Sequence, residues 1–100
     1  MRFKFTAKDS VLSEPIKNKV IQKVGKLDKF LPEDTEVNVK LSVVKLSQKI
    51  EVTIPLQKRV LRAEVVDTDM YAAIDKIIDI LEKQLIKYKS RLRDKARKEP

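Results

Sequence analysis

Three successive stretches of this chain place an apolar side chain at every second position: Val37, Val39, Leu41 and Val43; then Ile50, Val52, Ile54 and Leu56; then Leu61, Ala63 and Val65. An extended backbone sends alternate side chains to opposite faces, so each stretch predicts a strand that is apolar on one face and mostly polar on the other. The intervening "KLSQ" and "PLQKR" are short enough for hairpin loops, although neither contains the Asn-Gly or Asp-Gly signal. A three-stranded meander follows. Its apolar face has to be covered by something else in the chain.

Two helical patterns can supply the cover. In "SEPIKNKVIQKVGKLDKFLPED", Ser13 is placed to cap, Pro15 falls in the permissive first turn, and Pro32 ends a stripe of Ile16, Val20, Val24, Leu27 and Leu31. A second stripe of Ile74, Ile77, Ile78, Leu81, Leu85, Tyr88 and Leu92 follows a cap at Thr68 or Asp69. At the N-terminus, "RFKFT" alternates Phe3 and Phe5 with Arg2 and Lys4, the pattern of a fourth, half-buried strand. The order is β-α-β-β-β-α. The helical crossover makes the first two strands parallel if they are neighbours, and both helices must lie on one face. The fold class expected is α+β, a two-layer sandwich with a four-stranded mixed sheet. The meander followed by a helix resembles double-stranded-RNA-binding domains, as a likeness of fold alone.

Composition narrows what such a domain does. With 100 residues and 42% hydrophobic content, a modest single core is within reach without covalent staples. The formal net charge of +8 directs attention to a polyanionic partner, with nucleic acid ahead of an anionic membrane because no segment has an aromatic-rich amphipathic face. The absence of Cys removes disulfides and thiolate zinc sites, and the absence of His removes the usual general base and commonest metal ligand. The reading is therefore of a non-enzyme with no cofactor, no metal and no small-molecule substrate. No stretch has the length of a signal-peptide core or a membrane span, so a cytoplasmic protein is expected.

Charge is segregated on the last helix. Between Asp67 and Glu82, five acids (Asp67, Asp69, Asp75, Asp79 and Glu82) accompany the single base Lys76. From Lys83 to Lys98, eight bases (Lys83, Lys87, Lys89, Arg91, Arg93, Lys95, Arg97 and Lys98) accompany only Asp94. A helix macrodipole rewards such polarity only within its terminal turns, so it does not account for eight bases. At 100° per residue, Lys76, Lys83, Lys87 and Arg91 line up on the face opposite the apolar stripe, while Asp75, Asp79 and Glu82 collect on one flank. Lys19, Lys23 and Lys26 similarly edge the first helix, so two basic ridges are expected to flank one groove. The final helix, about 26 residues and so about 39 Å long, should also overhang strands of about 26 Å. Phe3, Phe5, Phe30, Tyr71 and Tyr88 all fall on or beside core faces, which favours phosphate and sugar contacts of structured RNA over base stacking.

"DMYAAID" (residues 69–75) and "LEKQLIKYK" (residues 81–89) resemble the bacterial ribosome hibernation-promoting factor family, also known as ribosome-associated inhibitor A or protein Y. "KVGKLDKF" (residues 23–30), "KIEVTIP" (residues 49–55) and "LRAE" (residues 61–64) extend the resemblance, in the family's order, over nearly the whole chain. It implies a short factor or the N-terminal domain of the long form, with residues 1–94 a ribosome-binding domain and 95–100 a basic flexible end or the start of a linker. The implied partner is the small ribosomal subunit with its 16S-type RNA, bound across the decoding region where messenger and transfer RNA lie. The implied role is translation inhibition in stress or stationary phase by a domain that is monomeric in isolation. Carried over by position, Lys23, Lys26, Lys29, Lys83, Lys87 and Lys89 would contact RNA, joined by Arg62 in "LRAE" and by Lys76 and Arg91 of the ridge. Ile80 departs from the family, in which a lysine is common at that point. The rival readings are a binder of other structured RNA and a module whose basic ridge docks an acidic protein.

Overall fold

The computed structural model describes the backbone of residues 1–8 and 12–98 and the side chains of residues 1–8 and 12–90. Strand β1 (Arg2–Lys8) leads to helix α1 (Glu14–Val24), which tightens into a 3-10 helix over Gly25–Phe30; strands β2 (Glu36–Val44), β3 (Ser47–Pro55) and β4 (Val60–Asp67) precede helix α2 (Met70–Lys98). The sheet runs in the order β1-β2-β3-β4, with β1 parallel to β2 and the other neighbours antiparallel. This is the β-α-β-β-β-α mixed-sheet sandwich that the periodicities predict.

Each element forms for a local reason. The Ser13 hydroxyl accepts from the Ile16 amide at 3.4 Å and Pro15 sits in the first turn of α1. At the start of α2 the cap is Asp69 rather than Thr68: its carboxylate accepts from the Tyr71 amide at 2.9 Å, while Asp67 steadies the approach by accepting from the Asp69 amide at 3.0 Å. The β2–β3 hairpin turns on only two residues, Lys45 and Leu46, shorter than the four of "KLSQ". Lys45 takes φ 57°, the left-handed region that glycine or asparagine would enter at less cost.

One apolar core lies between the sheet and the helices. Val37, Val39, Leu41, Ile50, Val52, Ile54, Leu61 and Ala63 supply the sheet side; Val20, Val24, Leu27, Ala73, Ile74, Ile77, Leu81 and Leu85 supply the other. Phe3 and Phe5 are half-buried, with ring centroids 6.0 Å apart. The ammonium of Lys17 stands over the Phe5 ring, so α1 covers the β1 side of the sheet. Tyr71 departs from expectation: its ring is exposed, because it follows the buried Met70 by 100° and turns away from the core. Among the described residues the last fully buried one of α2 is Leu85, and Tyr88 is half-buried. The 29 residues of α2 reach about 44 Å, against about 30 Å for a nine-residue strand, so the helix overhangs the sheet and the molecule measures 54 Å along its longest axis. The helical backbone runs without a break past residue 94 to residue 98, whereas the side chains of residues 91–100, and so those of the basic end at 95–100, lie outside the described residues.

Candidate RNA-binding surface

The placement of α2 follows from two side-chain contacts on its opposite flanks. On one, Lys19 of α1 pairs with Asp75 at 3.6 Å. On the other, the Gln84 amide donates to the Arg62 carbonyl of β4 at 3.1 Å and the Lys76 ammonium donates to the Asp67 carboxylate at the end of the same strand. The flank carrying Asp75, Asp79 and Glu82 therefore faces α1, and the flank carrying Lys76, Lys83 and Lys87 leans outward and toward β4.

This corrects the expected groove between two basic ridges. Both α1 and α2 return antiparallel to strands that run the same way, so the helices are parallel to each other, and one turn beyond the Lys19–Asp75 pair Lys23 comes level with Asp79. The groove thus has bases on its α1 wall and acids on its α2 wall. The basic surface lies on the outer face of α2.

The nine sequence-predicted residues separate accordingly. Lys83 and Lys87 are exposed one turn apart on the outer face, and neither forms an ion pair among the described residues. Lys76 shares that face but is engaged with Asp67. The hydrogen bond from Lys76, followed by that from the Asp69 amide, holds the Asp67 carboxyl below its ordinary range. Lys23 is half-buried in the last turn of α1, while Lys26 and Lys29 are exposed on the 3-10 helix, the Lys29 ammonium standing 5.2 Å from the Phe30 ring centroid. Lys89 is not on the Lys83–Lys87 face. It turns to the other flank and lines a depression of about 470 Å³ with Phe30, Glu33, Asp34 and Tyr88. Arg62 stands on the sheet face away from the helices, in a row with Lys4, Asn38 and Thr53. The side chain of Arg91 lies outside the described residues.

Sequence reasoning also passes over Gln84. At about 70° from the mean direction of the apolar stripe it reads as surface, yet its amide fastens α2 to the outer edge of β4. Its angular position beside the stripe is the only signal available. Among the described residues no cluster of acids is arranged to hold a metal ion, and no helix is long and apolar enough to cross a membrane.

Comparison with known proteins places this arrangement in a family. The chain is 38% identical over 100 residues to the ribosome hibernation promotion factor of Staphylococcus aureus (strain COL), an alignment covering 97% of this chain and 53% of that protein. The chain thus spans about half the length of this curated relative. The crystal structure of the Thermus thermophilus protein Y N-terminal domain superposes with a TM-score of 0.79 at 28% identity, over 88% of this chain and 99% of that one. A ribosomal subunit interface protein from Coxiella burnetii shares the fold at a TM-score of 0.78 and 22% identity, over 90% of this chain and 99% of that one. The family model described as sigma 54 modulation protein / S30EA ribosomal protein matches residues 3–93, and with a fold of the same order, the chain belongs to that family.

Proposed function

We infer that this chain is a ribosome hibernation factor, binding the small subunit across the decoding region and keeping messenger and transfer RNA out without catalysing a reaction. The observation that carries the reading is the outer face of α2, where Lys83 and Lys87 stand exposed one turn apart with Lys76 beside them and bases continue in the sequence to Lys98. Ammonium groups at this pitch on a rigid rod suit successive phosphates of structured RNA, whose shape and backbone rather than base edges are what a helix can address. Tyr71 is the one exposed ring among the described residues, and half-buried Phe3, Phe5, Phe30 and Tyr88 add little surface, so no run of open rings is available for successive bases to stack on, which argues against a single-strand binder. The name of the staphylococcal relative agrees with a ribosomal partner. A ribosomal partner places the chain in the cytoplasm. Lys23, Lys26 and Lys29 form a second, smaller contact set at the end of α1, Arg91 continues the ridge in the sequence, and Lys89 on the other flank of α2 and Arg62 on the open sheet face are separate candidate contacts.

The test is recovery of partners from growth-arrested cell extract, with and without nuclease, followed by binding to purified small subunits in competition with initiator transfer RNA. Recovery of small subunits and mutual exclusion with the transfer RNA are expected. Nuclease-sensitive recovery of other structured RNA, with no affinity for small subunits, would overturn the reading.

A further inference from the structure

The sheet face turned away from the helices carries a second surface, at the hairpin end. Register across the sheet puts Lys8, Ser42, Lys49 and Val66 in one row and Thr6, Lys40, Glu51 and Glu64 in the next. Beyond them lie Val44 and the turn residues Lys45 and Leu46. Three apolar side chains are open here: Val44 is 42% exposed, Val66 49% and Leu46 95%. Leu46 touches almost nothing in its own chain, although a two-residue turn would be satisfied by a small polar residue at less cost in hydration. Lys45 beside it holds a left-handed backbone at φ 57° without being glycine. An exposed leucine on a strained tight turn has no account in the stability of the fold.

The charges around it have their own pattern. Lys49 bonds to Glu51 at 3.0 Å and to Glu64 at 3.2 Å, and these two bonds raise it above its ordinary value, so it is fully charged and engaged. Lys8, Lys40 and Lys45 form no ion pair among the described residues. A shallow depression of about 260 Å³ opens between Lys8, Lys40, Ser42, Val44, Lys49 and Glu51. The two carboxylates in the middle of the face interrupt any phosphate track across it, and RNA gains little from an open leucine and two valines. A carboxylate set beside an apolar side chain would use both parts: Lys8 and Lys40 meet the charge, while Val44 and Leu46 cover the apolar group.

We propose that the hairpin end of the open sheet face, around Lys8, Lys40, Val44 and Leu46, docks an acidic protein segment in which carboxylates alternate with apolar side chains. This surface lies on the opposite side of the sheet from the Lys83–Lys87 face and does not depend on the ribosomal reading.

The test is a nuclear magnetic resonance titration of the isotopically labelled chain with three probes: a peptide alternating glutamate and leucine, one of the same length alternating glutamate and serine, and a short RNA hairpin. The glutamate-leucine peptide should shift the amide signals of Lys8, Lys40, Val44, Leu46 and Val66, and the glutamate-serine peptide should bind about tenfold or more weakly, the factor expected for one well-covered leucine. Leu46→Ser, at a tip that touches almost nothing, should leave the fold intact and cost a similar factor, and Lys40→Glu should weaken binding of both peptides. Equal binding of the two peptides would overturn the proposal. So would RNA shifting the hairpin signals as strongly as the peptide, peptide shifts confined to the α2 lysines, or no binding at all.

Discussion

Lys83 and Lys87 stand one helical turn apart with no carboxylate in contact among the described residues, so each is available to neutralise a phosphate. Replacing either by Ala should reduce the magnitude of the log-log salt slope of small-subunit binding by about 1 while leaving the melting temperature nearly unchanged. Equal loss of folding stability, measured by thermal denaturation, would make them structural. Ile80, 38% exposed beside them, contributes little to the core, so Ile80→Lys should tighten binding and change stability by less than about 0.5 kcal/mol. Asp67 carries a different prediction. Its folded-state pKa lies below its ordinary 3.8, so its stabilising contribution is fully present above that value and is lost as pH falls through the folded-state value. Asp67→Asn keeps an acceptor for the Asp69 amide but removes the titration, so denaturation profiles should show a shallower acid limb below about pH 4. Residue placement was legible wherever angle alone decides it, as for Leu81 in the core or Lys83 outside. Lys89 shows the limit: 100° steps turn it away from Lys83 and Lys87, whereas likeness to a family motif groups the three by sequence alone.

The elements themselves were written in the alternation of Val37 to Val65 and in the two helical stripes, because burial on one face imposes a period that no other arrangement satisfies. What periodicity did not carry was local backbone choice. The tightening of α1 into a 3-10 helix at Gly25 and the two-residue turn at Lys45 and Leu46 depend on how neighbouring elements meet, and a left-handed lysine leaves no mark in composition. For α2 the consequence is testable. Among the described residues its last fully buried side chain is Leu85, so ending the chain at Lys89 spares every described core residue while deleting Arg91, Arg93, Lys95, Arg97 and Lys98. The shortened protein should melt at nearly the same temperature, bind small subunits at least tenfold more weakly at moderate salt, and compete poorly with initiator transfer RNA. Binding and competition equal to the full chain would leave the basic end without a part in recognition.

At the scale of the whole molecule, the sheet order decides which sign of charge meets which neighbour. α1 lies over the β1 side and α2 is fastened to β4, so the acidic flank of α2 is the one that finds Lys19, and the basic flank is left outermost. Sign segregation along and around α2 is visible in the sequence. The wall it faces is not, because that requires knowing that β1 and β4 form opposite edges. The same order has a consequence in time. Closing the β2–β3 hairpin brings together Val44 and Ser47, three residues apart, whereas the parallel pairing of β1 with β2 joins Arg2 to Glu36 across the whole of α1. Loop closure over that span has to be paid before the contact rewards it. The meander and α2 should therefore assemble first and β1 should dock last. In a rate analysis, Val52→Ala and Ile74→Val should give φ-values of about 0.5–0.8 and Phe5→Leu about 0–0.3. Mutations in β1 should then speed unfolding rather than slow folding, which makes this edge strand the first part of the sheet to let go when a ribosome, a protease or a pulling force works on the chain.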